Sequence, residues 1–536
     1  MRQTLLLLFF LIFCVIVVKA QTGQEAFARI MDAQTRQPVS YATIQFENSD
    51  NGIIANEDGD FRIPYELVEQ NIGLIISSIG YTTVRLQASR LQPNIVNSIF
   101  LNPKVEELEM VVLQSKKSNK ISGNLEPTYI ISRAISTIQN NYPTKPHSFL
   151  SYYRDYQMVN NSYYNLNEGI LEVFDKGYNT VAYDAARTRA ALYFYDLNDR
   201  FYVDSTLINA TYGDSKTLDL DGNVSLETKI KNELELLNIH NPIRNFDRST
   251  FSFIYELRSD FVVNHNFTLR RVVYEDDEPL FEITFVTKDS ELTEYVGEGR
   301  IFISQNSYAI HRLDYQVYSN PNYSTFGTVN TSLSNTATQR KGSDRVVFFE
   351  VSVAYKRKGE LMYPNYITFN NRFVLKGNDP FQINDMQLDP DSKAVLISFN
   401  KPLDPTTIGN MNNYRFKYKG SRLIVKSVEQ KSDNELLVRM VNWDLGSSSE
   451  ELKSEDFDIR IKRIRDMTGA KLNQSIKVTG YQFREIFTQE VFEQKEPEQG
   501  LKFVEKSKSL LNAPINQSTI DLEKYWVNSP LKKTED

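Results

Sequence analysis

Thiols, imidazoles and surplus positive charge are what this chain has least of. Its 536 residues hold one cysteine, Cys14, and four histidines, His147, His240, His265 and His311. Cys14 lies in the apolar start, so a chain trimmed behind that start forms no internal disulfide and no thiolate metal site, and its stability rests on burial. Zinc hydrolysis needs two histidines and a carboxylate converging on a metal with one position left open. None of the four histidines begins a His-x-x-Glu pair or belongs to a His-Glu-x-x-His helix. His311-Arg312-Leu313-Asp314 comes nearest, but on a strand His311 shares the face of Ala309, Leu313, Tyr315 and Val317, and it reads as a core histidine. His265, alternating with Val263 and Phe267, reads the same way. Gly-x-Ser-x-Gly, which presents a serine nucleophile on a strained turn, is missing. Gly297-Glu298-Gly299 lacks the third glycine of a nucleotide loop and runs into a strand instead of opening a helix, so it reads as a flexible strand entry. Finally, 61 Lys and Arg stand against 68 Asp and Glu, which excludes the concentrated basic surface that displaces counterions from nucleic acid.

Long apolar runs are equally scarce. The one present, Leu5 to Val18, falls short of the roughly 20 residues that cross a bilayer. With Arg2 before it and Val18-Lys19-Ala20 after it, the run reads as a signal peptide cleaved between Ala20 and Gln21. The expectation is an exported protein, periplasmic or outer-envelope associated, with no transmembrane anchor after cleavage. Bulky Phe13 stands before Cys14 where lipoprotein processing expects a small residue, which argues against a lipid anchor. Loss of Arg2 and Lys19 leaves 59 basic residues against 68 acidic ones, a mature charge of about -9.

What the chain does have is aromatic residues, 30 Tyr and 32 Phe, in short alternating runs that favour strands. At roughly 100 to 200 residues per domain, three or four domains are expected. From Ala26 to Leu101, Ala28 and Ile30, then Ala42, Ile44 and Phe46, alternate with polar neighbours. Turns fall at Asp50-Asn51-Gly52 and Asn56-Glu57-Asp58-Gly59, where Asn, Asp and Gly accept positive φ. The series Ala28-Arg29-Ile30-Met31-Asp32, Thr35, Pro38, Ala42-Thr43-Ile44, Asn56-Glu57-Asp58-Gly59-Asp60-Phe61 and Ser78-Ile79-Gly80-Tyr81 resembles the carboxypeptidase regulatory-like domain, with Ala28 replacing a common glycine. The resemblance implies a transthyretin-like β-sandwich over 21–103 that accompanies other domains and is not itself a peptidase.

A linker is expected over 104–124, where Met110 to Leu113 precede the polar Lys116-Lys117-Ser118-Asn119-Lys120. Pro127 then opens a helical pattern with Ile130, Ile131, Ala134, Ile135 and Ile138 on one face, ending before Tyr142-Pro143. Through 125–380 strands dominate, among them Phe281-Ile283-Phe285, Ile301-Ile303, Val347-Phe349-Val351-Val353 and Ile367-Phe369. Hairpin turns are expected at Asp276-Asp277-Glu278-Pro279, Gln305-Asn306 and Lys358-Gly359, and a second helix near Lys229 to Leu237. An antiparallel sheet curled around helices follows. Gly299-Arg300-Ile301-Phe302-Ile303, Tyr308-Ala309-Ile310 and Tyr363-Pro364 to Phe369 are similar to the hairpins of lipoprotein-carrier-like half-barrels. The longer pattern with Asn141-Tyr142-Pro143-Thr144-Lys145-Pro146 and Tyr152-Tyr153-Arg154 resembles exported Bacteroidetes proteins that join this region to the regulatory-like sandwich, a family without an assigned activity. Over 381–480, Val395-Leu396-Ile397-Ser398-Phe399, Lys401-Pro402-Leu403-Asp404, Tyr414-Arg415-Phe416 and Ile464-Arg465-Asp466-Met467-Thr468-Gly469 resemble a bacterial Ig-like sandwich. The remainder, 481–536, reads as a tail: Phe483 to Phe492 fits a helical face or a twisted strand, the charged stretch after Gln494 reads as loosely ordered, and Tyr525-Trp526 reads as a docking point.

Two acidic turns, Asn56 to Asp60 and Thr217 to Thr228, imitate calcium loops. The first has Phe61 in place of the loop glycine and Leu67 in place of the bidentate Glu; the second has Thr217 and Thr228 in place of the end carboxylates, so both read as solvated turns. The aromatic strings Tyr152-Tyr153, Tyr163-Tyr164 and Tyr193-Phe194-Tyr195 either form a sugar- or peptide-contacting surface or, more commonly, pack in a Tyr-rich core. No catalytic, cofactor-binding or metal-binding residue is assigned. The expected protein is a non-enzymatic cell-envelope component that binds or scaffolds an envelope protein, glycan or lipid. Two alternatives remain open: a carrier or sensor holding an apolar ligand in the half-barrel, and a hydrolase with a noncanonical site in the middle domain.

Overall fold

The computed structural model describes residues 25–49, 51–106, 126–181, 184, 186–209, 232–248, 256–288, 295–319, 347–375, 379–389, 392–441, 456–517 and 520–531. The expected cleavage site Ala20-Gln21 and the Thr217 to Thr228 turn lie outside these residues. The described chain is mainly β, in several sheets, none a closed barrel.

The period-two pattern near the start forms β1 (Ala26–Asp32), β2 (Thr43–Phe46), β3 (Gly52–Ile54), β4 (Asp60–Ile63), β5 (Gly73–Ser77), β6 (Val84–Gln87) and β7 (Val96–Leu101). One sheet has the order β4-β1-β7 and the other β3-β2-β5-β6. Ala28, Ile30, Ile44, Phe46, Phe61 and Ile76 fill the space between them. Gly59 makes the turn before β4 at φ +75°, and a Cβ there would lie 2.5 Å from the Ile30 carbonyl oxygen, so both conformation and space require glycine.

The middle of the chain supplies β8 (Val105–Glu106), β9 (His147–Val159), β10 (Ser162–Asp175), β11 (Thr188–Leu197), β12 (His265–Glu275), β13 (Glu278–Thr287), β14 (Tyr295–Ser304), β15 (Ile310–Ser319), β16 (Val347–Lys358) and β17 (Leu361–Leu375). Next come β18 (Ile383–Asp389), β19 (Ala394–Phe399), β20 (Tyr414–Tyr418), β21 (Ser421–Leu423), β22 (Val425–Ser432), β23 (Glu435–Met440) and β24 (Phe457–Ile461). These form two sheets, β18-β19-β23-β22 and β21-β20-β24, around a core that includes Phe381, Ile397, Phe416 and Val438.

The last described strand, β25 (Val478–Glu493), decides Phe483 to Phe492 for the twisted strand over the helical face, as part of the large sheet and not of a separate tail. It enters the large sheet between β9 and β17, giving the eleven-stranded order β11-β10-β9-β25-β17-β16-β15-β14-β13-β12-β8. Leu375 pairs with Val478, so the third module is an excursion between two adjacent strands. Arg484 and Glu485, charged residues in the middle of this strand, are both buried.

The helical stretch expected from Pro127 breaks at Thr137 into Pro127–Ser136, whose Ile130, Ile131, Ala134 and Ile135 are buried, and the short helix Ile138–Asn141 with Ile138 buried. The second helix is Glu233–Ile239, started by Asn232, whose side chain accepts the Glu235 N–H at 2.8 Å. These helices cover one face of the large sheet: Ile130, Ile138, Leu234 and Leu237 share a continuous cluster with Ile283, Leu313, Val351, Phe369 and Ile486. That face was the place reserved for an apolar ligand, and the protein's own side chains occupy it.

Candidate functional site

Side chains alternate between sheet faces, so the face opposite the helices carries the other half of every strand. The register aligns one polar row there across nine strands. Thr284 lies beside Arg300, Arg300 beside Asp314, Asp314 beside Ser352, Ser352 beside Thr368 and Thr368 beside Glu485. Glu485 faces Arg154, Arg154 faces Glu168, and Glu168 faces Asp196. The adjacent row is more aromatic and includes Tyr366, Phe487 and Tyr152.

The first sandwich rests on these rows. Tyr41 stacks on Tyr366 at 5.0 Å between ring centroids and approaches Phe487 at 6.5 Å. It does so from φ 58°, a left-handed conformation that a tyrosine adopts only under constraint. Ile54 joins Leu150, Tyr152 and Ile170 in one buried group. Asn365 donates to Thr43 Oγ1 at 3.1 Å and Lys356 Nζ donates to Gln45 Oε1 at 2.9 Å. Between β2 and β3 on one side and β16, β17 and β25 on the other lies a pocket of about 240 Å³, whose wall includes Gln45, Asn51, Lys356, Asn365, Thr488 and Gln489.

Residues 525–530 run through the same junction and touch both layers. Trp526 packs against Phe46 at 4.7 Å, and its backbone makes two hydrogen bonds with the Gln489 amide, 2.7 and 3.3 Å. Asn528 donates to the Ile54 carbonyl at 3.0 Å and accepts the Arg62 N–H at 3.0 Å. Arg62 also donates to the carbonyls of Ser529 and Pro530. The stretch read as a docking point therefore docks within its own chain.

Beneath this strap the charges are buried. Arg154 and Glu485 pair with side chains 1% exposed each. Burial opposes the Arg154 charge, but Glu485, with Tyr152 and Tyr156, holds the guanidinium well above its ordinary value. Arg154 also donates to the Asn528 carbonyl at 3.3 Å. Glu168 accepts from Tyr152, from Asn198 at 2.6 Å and from Ser529 at 2.9 Å. Glu57, at the edge of the junction, is an exposed residue, yet loss of water around its carboxyl first, then Glu350, Glu485 and Asp58, pushes it up to about 7 against the pull of Arg154.

A second contact holds the rim of the sandwich. β8 pairs with β12, the Gly80 N–H donates to the Tyr274 carbonyl at 2.8 Å, and Thr83 and Lys104 bond Asp276 at 2.7 and 2.8 Å. Under that hairpin, His311 corrects the reading as a plain core histidine. It is 2% exposed but bonds Glu275 through Nδ1 and lies 3.6 Å from Glu278 through Nε2. Burial disfavours its charge, but Glu275 and Glu278 outweigh it and raise the imidazole to about 9. His311, followed by Ser304 and Arg357, holds Glu278 down to about 2. Sequence gave no hint of this cluster because Glu275 and Glu278 flank a turn and look solvated.

The other singled-out residues do not converge. His147 and His265 are buried, their imidazoles lowered by burial. His240 stacks on Phe369 at 3.8 Å and is driven to about 3 by burial and Arg484. Asp60 is committed to a two-point pair with Arg29 at 2.6 and 2.9 Å. Gly297 and Gly299 lie inside β14, not at a strand entry, and a Cβ at position 299 would sit 2.1 Å from the Asp314 carbonyl oxygen. The tyrosine strings pack as core: Tyr152, Tyr153, Tyr163, Tyr164 and Tyr193 are all buried, and Phe194 alone is exposed at 38%. Among the described residues, no three His, Cys, Asp or Glu side chains gather to hold a metal ion.

Residues 29–113 match the model of the CarboxypepD_reg-like domain, a non-catalytic domain type. No curated protein matches the chain. Among solved structures, the crystal structure of MucB in complex with MucA(peri) aligns over 64% of this chain and 96% of that one, with 8% identity and a TM-score of 0.14.

Proposed function

We propose, with the regulatory-like domain at residues 29–113 as the premise, that this is a non-enzymatic exported cell-envelope protein that scaffolds a partner protein on its β domains. The observation that carries the reading is the division of labour on the large sheet. Its apolar face is spent on the chain's own helices, while its opposite face holds a sandwich through a polar, strapped junction. Contacts of that kind set the relative position of two recognition surfaces and need no chemistry to do so. The filled apolar face argues against the apolar-ligand carrier.

The test is crosslinking of the full chain in its native envelope, alongside a Trp526→Ala variant that loosens the strap. One recurrent protein partner recovered with the native chain and depleted with the variant supports scaffolding. Turnover by the purified protein of a peptide, ester or glycoside substrate, or the absence of any recurrent partner, overturns it.

A further inference from the structure

The pocket between the sandwich and the sheet has a feature the scaffold reading does not use. Lys356 projects from the end of β16 into the gap, and its ammonium makes one hydrogen bond, to Gln45 across the junction. Among the described residues no carboxylate pairs with it. The other charges of the wall are already engaged: Lys358 donates to the Val491 carbonyl at 3.0 Å, Arg357 pairs with Glu278 at 3.2 Å, and Glu490 accepts from Tyr525. Burial lowers the Lys356 ammonium, with Glu275 and Asp276 pulling the other way. An ammonium has three donors, so two remain for an occupant.

The remaining wall mixes neutral polar groups with the apolar side chains of Ile53, Ile54, Pro364 and Val491. Gln45 and Asn51 come from the sandwich, and Asn365, Thr488 and Gln489 from the sheet. At about 240 Å³ the space holds roughly eight waters, or one small polar molecule of monosaccharide size. A half-buried cation that no carboxylate pairs with among the described residues, beside amides, a hydroxyl and a few apolar side chains, is complementary to an anionic group on a polar body.

We propose that this pocket binds a small polar ligand carrying one carboxylate or phosphate, with Lys356 as its counter-ion, and that the ligand clamps the sandwich onto the sheet. The clamp follows from the wall itself, because both layers contribute to it. The site stands independently of the partner reading, since neither its wall nor its charge involves an external protein.

The test is calorimetric titration of the full mature chain with D-glucuronate, inorganic phosphate and neutral D-glucose. D-glucuronate or phosphate binds, glucose does not, and which anion binds separates a carboxylate source from a phosphate source. Lys356→Met weakens binding at least about tenfold, the loss of a charge-assisted hydrogen bond, while Lys356→Arg stays within about threefold of the native chain. Melting curves confirm that both variants are folded. Bound anion also slows amide exchange in β3, which a nonspecific surface ion leaves unchanged. No binding by either anion at 10-fold molar excess over ~1 mM sites, or equal affinity in Lys356→Met, overturns the proposal.

Discussion

Arg154 and Glu485 make the sharpest test of how the junction is held. Replacing Arg154 with Met keeps the length and apolar stem of the side chain but removes the charge from a site where both partners are 1% exposed. Glu485 is then a buried carboxylate whose Oε2 has lost its guanidinium and whose Oε1 has no hydrogen-bond partner among the described residues. Breaking one side of such a pair costs about 3–5 kcal/mol, while replacing both sides with apolar groups is close to neutral. The Asn528 carbonyl also loses its 3.3 Å donor, so the strap loosens with the sheet. Arg154→Met should therefore lower stability by about 3–5 kcal/mol, and the double variant Arg154→Met/Glu485→Leu should recover most of it, a coupling far outside additivity. Urea unfolding followed by far-ultraviolet circular dichroism reads the sheet, and Trp526 fluorescence in a Trp443→Phe background reads the strap. A chain of several modules need not unfold in one step, so the comparison is made on the transition in which the two signals coincide. If Arg154→Met melts with the native protein, or the double variant is no better than the single one, the pair does not hold the junction.

Two further predictions concern pH. The Glu57 carboxyl is raised to about 7, so the stability it contributes is complete below the ordinary carboxyl value of about 4.5 and is lost as pH rises through 7. Limited proteolysis between the sandwich and the sheet should accelerate from pH 5 to pH 8 in the native chain and change less in Glu57→Gln; identical pH profiles would remove Glu57 from the junction. His311 is also raised, to about 9, so its contribution is intact below about 6.5 and fades as pH climbs through 9. The melting temperature should fall across that window and flatten in His311→Gln, and an imidazole that titrates near 6.5 by nuclear magnetic resonance would refute the buried ion cluster.

Local pattern decided a good deal. The alternation of Ala28, Ile30, Ile44 and Phe46, with the Gly59 turn, is enough to specify the first sandwich, because a strand with one buried face repeats every two residues and only glycine fits the turn. Pro127 and the Ile130 to Ile138 face likewise announce a helix. The hairpins at Asp276-Asp277, Gln305-Asn306 and Lys358-Gly359 are local events set by turn chemistry.

Assembly alone decided the junction. Arg154 and Glu485 are 331 positions apart in sequence, and neither carries a local sign of the other. β25 fits a helical face as well as a strand in sequence because both of its faces are covered, so its charged and apolar residues are buried together without alternating against water. Once β25 enters between β9 and β17, the register brings nine separate segments into one polar row. Lys356 meets Gln45 across a gap that exists only after the sandwich has docked. A period of two tells which side of a strand is apolar; which strands become neighbours, and which charges they bury together, depends on non-local pairing that no window of sequence contains.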